Sequence, residues 1–199
     1  MKIIFASANK NKINEIRAML PGNFELLGLA DIGITEEIPE PGTTIRENSF
    51  LKAEYVVNFL KQKNFGPVAV FADDSGLEVE ALNNAPGVFS ARYAGEPKND
   101  FNNNEKLLRE LQQVTKRKAR FVTVICLITE KEVLYFEGEV KGTIAFEPKG
   151  DTGFGYDPLF IPQGYRSTFA ELGAEVKNAI SHRAKAVKQL VNFISNRQS

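Results

Sequence analysis

This sequence is poor in cysteine, in histidine and in charge of either sign in excess, and each scarcity excludes something. Among its 199 residues there is one cysteine and one histidine. Cys126 stands alone inside the apolar run RFVTVICLIT, so an internal disulfide is excluded and the residue reads as a small buried hydrophobe. A chain without disulfides fits a reducing, cytoplasmic setting. Lys and Arg total 25 and Asp and Glu total 25, leaving no net charge. That balance removes the basic excess that binding along a nucleic-acid backbone needs, so no stable nucleic-acid complex is expected. A local cluster of lysines and arginines can still attract a small anion. No stretch approaches the roughly 20 apolar residues of a membrane span, so no membrane association is expected. MKIIFASANK turns polar after a few apolar residues and reads as a first strand, not a signal peptide. Internal repeats, low-complexity tracts and long linkers are also missing. One well-cored domain, or one fold with two lobes, accommodates this length.

What is present is a mixed α/β pattern. A strand over 2–7 leads into a helix carrying Ile13, Ile16 and Leu20 at helical spacing. Thr44 and Glu47 have capping-box spacing and open a second helix, whose expected apolar stripe is Phe50, Ala53, Val57 and Leu60. A short apolar strand over 68–71 is expected to end at Asp73 and Asp74, with Ser75 and Gly76 turning the chain and LEVEAL forming a half-exposed strand. Leu107, Leu108, Leu111 and Val114 mark another helix. Residues 119–148 read as a strand, a tight turn and a long second strand bent at Gly138 and Gly142. Ile180, Ala184, Val187, Val191 and Ile194 place a helix at the end.

Five stretches are chemically suggestive, and each has a plainer reading. In SANKNK a strand hands over to a helix whose first amides and two lysines would stabilise an anion, although a solvated turn explains the same residues. The stretch is not a Walker A loop, having no glycine. In FADDSG successive side chains point to opposite faces, so Asp73 and Asp74 would divide their roles. One suits a magnesium ligand or general base, and the plainer reading is an Asx-type turn with Ser75 capping nearby amides. Glu40, in the stiff loop EPG, is a further carboxylate or simply a surface glutamate. TGFGYDP offers backbone freedom at its glycines and a ring, Phe154, on which a base could stack, or else a turn closing a core edge. In EVKNAISHRAKAV, Ser181 is a natural N-cap that puts His182 and Arg183 in the first turn of a helix, with Lys177 just upstream. Cations there oppose the helix dipole unless an anion or polar ligand is present.

Taken together, SANKNK, EPGTTIRENSFLKA, FADDSGLEVEALNNAPGVFSARYAG, GFGYDP and KNAISHRAKA resemble, in order and spacing, the Ham1/RdgB-like family of inosine-triphosphatase-type purine nucleoside triphosphate pyrophosphatases. The resemblance runs nearly end to end. It implies one elongated α/β unit, two lobes around a central mixed sheet with flanking helices, a nucleoside triphosphate bound with Mg2+ in the cleft, and a homodimer. By matching position it implies that Ser7, Ala8, Asn9, Lys10, Asn11 and Lys12 hold the triphosphate. It further implies that Glu40 and Asp74 carry the metal, that Asp74 also accepts the proton of the attacking water, and that Ser75 contacts phosphate. Phe154, Gly155, Tyr156 and Asp157, with Lys177, His182 and Arg183, are implied as the base pocket. Ser7 stands where the family often has threonine, Ala8 where it often has glycine, and Thr152 where a glycine often precedes GFGYDP. The expected reaction splits the α–β anhydride of inosine and xanthosine triphosphates and their deoxy forms. Competing readings are a Maf-like pyrophosphatase acting on other nucleotides, and a non-catalytic nucleotide- or RNA-binding module using TKRKAR at 115–120, a run expected to be a solvated turn.

Overall fold

A computed structural model of the chain describes residues 2–66 and 68–197. Lys2–Phe5 forms β1, followed by helix α1 at Lys10–Met19, β2 at Glu25–Leu27, helix α2 at Ile45–Gln62 and β3 at Ala69–Val79. Pro86–Gly87 forms the short β4, Asp100–Glu110 helix α3, Lys118–Ile128 strand β5, Val133–Ile144 strand β6 and Phe160–Pro162 strand β7. Helices α4, Phe169–Ile180, and α5, His182–Asn196, complete the chain. The strands lie in the order β2-β1-β3-β5-β6-β7, with β4 on β3. β1 is parallel to β2 and to β3, as helical crossovers require, while β4 and β7 are antiparallel to their neighbours. This is the mixed sheet with flanking helices that the sequence predicts. No helix among the described residues is long and apolar enough to cross a membrane.

Contacts group the chain into two compact units: Met1–Asp74, Thr123–Glu137 and Lys185–Ser199 in the first, Ser75–Val122 and Gly138–Ala184 in the second. The first has two cores, one on each face of its strands. Ile3, Phe5 and Phe71 pack with Ile16 of α1 and Val187, Leu190 and Ile194 of α5. Ile4, Ala6, Val70 and Ala72 pack with Ala53, Val56 and Leu60 of α2. Side chains alternate between faces along β1 and β3, and this period of two aims Asp73 and Asp74. The second unit has one core, in which Leu77, Leu107, Phe121, Tyr156, Phe160 and Phe169 meet.

Several expectations are corrected. β3 does not stop at the aspartates: it runs unbroken from Ala69 to Val79, and Ser75–Gly76 is strand, not turn. Hydrogen-bonded neighbours on both sides hold it extended, and separate lysines neutralise the two acids, so the charge pair gives the chain no reason to leave the sheet. Of LEVEAL only Leu77–Val79 is strand, and Glu80–Leu82 curls into a short 3-10 turn. The buried stripe of α2 is Ile45, Asn48, Ser49, Lys52, Ala53, Val56 and Leu60, so Phe50 and Val57 sit beside it rather than on it. Helix α3 begins seven residues before the leucines that marked it and ends before Leu111 and Val114. The C-terminal helix is two helices, with Ile180 on α4 and the rest of its expected stripe on α5. The run at 115–120 is not a solvated turn. Arg117 is buried and spends its guanidinium on the carbonyls of Leu111, Val114 and Ala145, and Lys118–Arg120 already belongs to β5.

The β5–β6 hairpin stands as expected, its turn closed by the Thr129 N–H donating to Glu132 O at 3.0 Å. β6 passes through Gly138 without interruption, and at Gly142 any side chain would run into the backbone of Ile161 on β7.

Candidate active site

In the first unit, residues 40–44 are tied to the start of α2. Glu40 Oε1 accepts from Lys52 Nζ at 2.5 Å, the Gly42 N–H donates to Asn48 Oδ1 at 2.7 Å, and the Thr43 N–H donates to Glu47 Oε2 at 2.8 Å. Thr44 caps the helix by accepting the Glu47 N–H at 3.1 Å. The capping acid therefore reaches back to Thr43 and not to Thr44. At Gly42 a Cβ would lie 2.5 Å from Asn48 Oδ1, which explains a glycine here without invoking flexibility. This local folding turns Glu40 inward.

Lys52 lies on the buried stripe of α2 and is 7% exposed. Its ammonium touches both Glu40 and, at 3.4 Å, Asp74 Oδ1. Burial pushes Lys52 down, but the carboxylates of Asp74, Glu40 and Asp73 outweigh it and hold the ammonium above the usual lysine range. Asp74 is 8% exposed. Burial raises its pKa above the ordinary carboxylate range, Lys52 and Lys12 oppose the rise, and Glu40 and Asp73 add to it. Its second oxygen, Oδ2, is buried without a hydrogen-bond partner among the described residues. Three charges thus leave two carboxylates sharing one ammonium. No group of three or more His, Cys, Asp and Glu side chains that could hold a metal occurs among the described residues. Two carboxylates with an unsatisfied buried oxygen fit Mg2+, which takes one or two carboxylates and completes its shell with water and phosphate oxygens.

On the other face of β3, Asp73 Oδ1 accepts from Lys12 Nζ at 3.0 Å. The two aspartates therefore divide their work as strand geometry predicts: Asp73 anchors α1 and Asp74 faces α2. Asn9 caps α1, accepting the N–H groups of Asn11 at 3.0 Å and Lys12 at 3.2 Å. Ser7 Oγ accepts the Asn9 N–H at 3.2 Å. Ala8, Asn9, Lys10 and Asn11 are exposed, while Ser7 and Lys12 are half-buried.

In the second unit, the loop around Phe154 is built by bonds from several elements. Asp157 Oδ2 accepts the Phe154 N–H at 2.9 Å and the Lys177 ammonium at 2.5 Å. The same carboxylate would collide with any side chain at Gly153, whose φ is +82°. Lys177 Nζ lies 4.3 Å from the centre of the Phe154 ring and Arg183 Cζ 5.8 Å from it. Arg183 is 2% exposed and donates to Ser75 Oγ at 3.2 Å. Tyr156 is in the core, and its hydroxyl donates to Ser90 O at 2.8 Å. His182 is buried and stacks on Phe121, with ring centres 4.7 Å apart and planes 10° apart. Ser181 Oγ accepts the Ala184 N–H at 3.1 Å, confirming it as the cap of α5. Lys177, however, sits in the last turn of α4, where the dipole favours a cation. Of Lys177 and Arg183, it is Arg183 that opposes a helix dipole, which halves the conflict read from the sequence.

Lys52 was missed by sequence reasoning. The available signal was a lysine in register with Ile45, Ser49 and Val56 on the helix, a position where an unpaired charge is not tolerated. Nothing in the sequence marked Asp100 or Asn104, whose side chains hold Gly155.

Comparisons with known proteins agree along nearly the whole chain. A family model described as the Ham1 family matches residues 3–193. A protein of Flavobacterium psychrophilum named dITP/XTP pyrophosphatase is 52% identical over 196 residues, covering 98% of this chain and 100% of its own. A dITP/XTP pyrophosphatase of Porphyromonas gingivalis is 54% identical over 194 residues, covering 97% of each. The solved Ham1 protein of Staphylococcus aureus superimposes with a TM-score of 0.87 at 41% identity, over 99% of this chain and 100% of its own. With motifs, fold and near-complete coverage in agreement, this chain belongs to the Ham1 family.

Proposed function

We propose that the chain hydrolyses inosine and xanthosine triphosphates and their deoxy forms between the α- and β-phosphates, releasing pyrophosphate and the nucleoside monophosphate and so cleansing the nucleotide pool. Relatives about half identical along their full length carry the name dITP/XTP pyrophosphatase. The observation that carries the chemistry is Asp74: a buried carboxylate with one oxygen held by Lys52 and the other, among the described residues, without a hydrogen-bond partner.

On this reading Glu40 and Asp74 hold Mg2+, which supplies neutralisation of charge on the phosphate oxygens. Lys52 keeps the two carboxylates together before substrate arrives, and its charge limits their repulsion. Asp74 orients the attacking water and accepts its proton. Ser7 to Lys12 receive the triphosphate: Lys10 is exposed for it, and Lys12, anchored by Asp73, adds a fixed positive charge. Ser75 contacts phosphate, its hydroxyl oriented by Arg183. Phe154 stacks on the purine, while Lys177 and Arg183 face its polar edge. Tyr156 and Asp157 act from beneath, holding the loop in shape.

A 6-oxo purine offers an acceptor at O6 and a donor at N1. A site whose donors face O6 leaves them unpaired against adenine's amino group, which is how adenine is rejected. The working form is proposed to be a cytoplasmic homodimer, checked by light scattering of the purified chain.

The deciding experiment identifies products from ITP with Mg2+ and after chelation. Pyrophosphate and IMP that disappear with EDTA are expected. Orthophosphate with IDP would place the cut at the wrong bond, and equal rates on dTTP, UTP and ITP would favour the Maf-like reading.

A further inference from the structure

Helix α3 grips the loop proposed to receive the base. Its C-terminal end is fixed by Arg117, which donates to Leu111 O at 2.7 Å and to Ala145 O at 2.9 Å. Along its length Asn103 accepts the Ala94 N–H at 2.7 Å and donates to Ala91 O at 3.1 Å, and Lys106 donates to Tyr93 O at 2.8 Å. Its first turns hold Gly155. Asp100 Oδ2 accepts the Gly155 N–H at 2.7 Å, and Asn104 Nδ2 donates to Gly155 O at 3.0 Å.

Asp100 and Asn104 are four residues apart and so share one helix face. Together they hold the peptide groups on both sides of a single residue. Gly155 has a φ of +62°, a conformation that the backbone of most residues avoids. With both its peptide planes held, the placement of Phe154 before it and Tyr156 after it follows.

Asn104 is 9% exposed, and its Oδ1 is buried without a hydrogen-bond partner among the described residues. Its orientation is settled, because turning the amide round would set Oδ1 against the carbonyl oxygen of Gly155. An orphaned buried oxygen costs folding free energy that a leucine of similar size would not. The amide is therefore poorly explained by stability and well explained by the bond its nitrogen makes.

We propose that Asp100 and Asn104 are positioning residues for purine recognition, clamping Gly155 so that Phe154 stays against Lys177 and Arg183. The inference rests on reading residues 152–158 as the base-binding loop. The test compares the native chain with Asp100→Ala, Asp100→Asn and Asn104→Leu by ITP kinetics, thermal melting and amide hydrogen exchange. Loss of one clamping bond is expected to raise KM for ITP about tenfold while kcat stays within about twofold. Peptides over 152–158 exchange faster, and those from α1 and α2 do not change. Asp100→Asn keeps an acceptor oxygen and stays near the native KM, and Asn104→Leu melts no lower than the native chain. Unchanged KM in Asp100→Ala and Asn104→Leu, or a lowered melting temperature of Asn104→Leu with native exchange in the loop, would overturn the proposal. If the native chain releases no pyrophosphate from ITP, the functional reading falls separately. Exchange at 152–158 then decides the clamp: faster exchange in the variants sustains it and native exchange removes it.

Discussion

The surroundings of Asp74 and those of Phe154 are both buried, polar and charged, yet their accounts close differently. Around Asp74, two carboxylates share the Lys52 ammonium and, among the described residues, one oxygen of Asp74 is left without a hydrogen bond. Around Phe154, the Asp157 carboxylate is matched by one lysine and one amide, and Gly155 has both its backbone groups bonded. A region left electrostatically incomplete is built to receive something charged. A region whose charges are matched and whose loop backbone is held, with only the neutral amide oxygen of Asn104 left over, is built to present a surface of fixed shape.

Removing the acid at the centre of the first region gives the largest expected effect. Asp74→Asn should lower the rate of pyrophosphate release about a thousandfold. It should also leave the fold as stable as before, because the amide keeps the shape and removes an uncompensated charge. Turnover near the native rate would erase the distinction between the two regions. Lys52→Met comes next. Stripping the shared ammonium strands two carboxylates and should cost about 3 kcal/mol in urea unfolding, as breaking a buried pair does. Adding Asp74→Asn to it should recover a large part of that loss, and strict additivity would mean that the two side chains do not interact.

Phe154→Ala probes the second region and should act on binding instead. KM for ITP rises about tenfold, in the range of a base–aromatic stack, with little change in melting temperature. An equal fall in kcat would move Phe154 into the chemistry. The smallest effect lies in the core where α2 packs on β1 and β3. Burial pushes the Cys126 thiol up to about 11, with Tyr135 and Arg46 opposing the rise and Glu54 adding slightly to it. The folded chain should thus resist alkylation at pH 8 and react once unfolded. The sign for stability follows: the neutral thiol is favoured in the fold, so Cys126 leaves stability level below about pH 8.5 and lowers it as pH climbs toward the folded value. Rapid labelling of the folded chain at pH 8 would show that this core opens.

Much of this was legible without coordinates, for identifiable reasons. The division between Asp73 and Asp74 follows from the period of two along a strand, and it held even though the strand ran on where a turn was expected. Thr44 and Ser181 could be read as caps because a cap is a local bond across three residues. The stripe of α2 was misread because apolar residues mark a buried face only when the neighbours are apolar. Here Asn48 and Lys52 are buried against the polar loop at 40–44.

The order and spacing of five short motifs were thus enough to place the chain in a family and to nominate Glu40, Asp74 and the loop at 154–157. Local bonds and strand alternation act over a few residues and are written directly in the sequence. Which lysine answers which acid was decided only by the fold. Lys12 meets Asp73 across 61 positions and Lys52 meets Asp74 across 22. The grip of α3 on Gly155, across 51 positions for Asn104 and 55 for Asp100, belongs with them. Such pairings follow from how strands and helices pack, and no spacing along the chain encodes them.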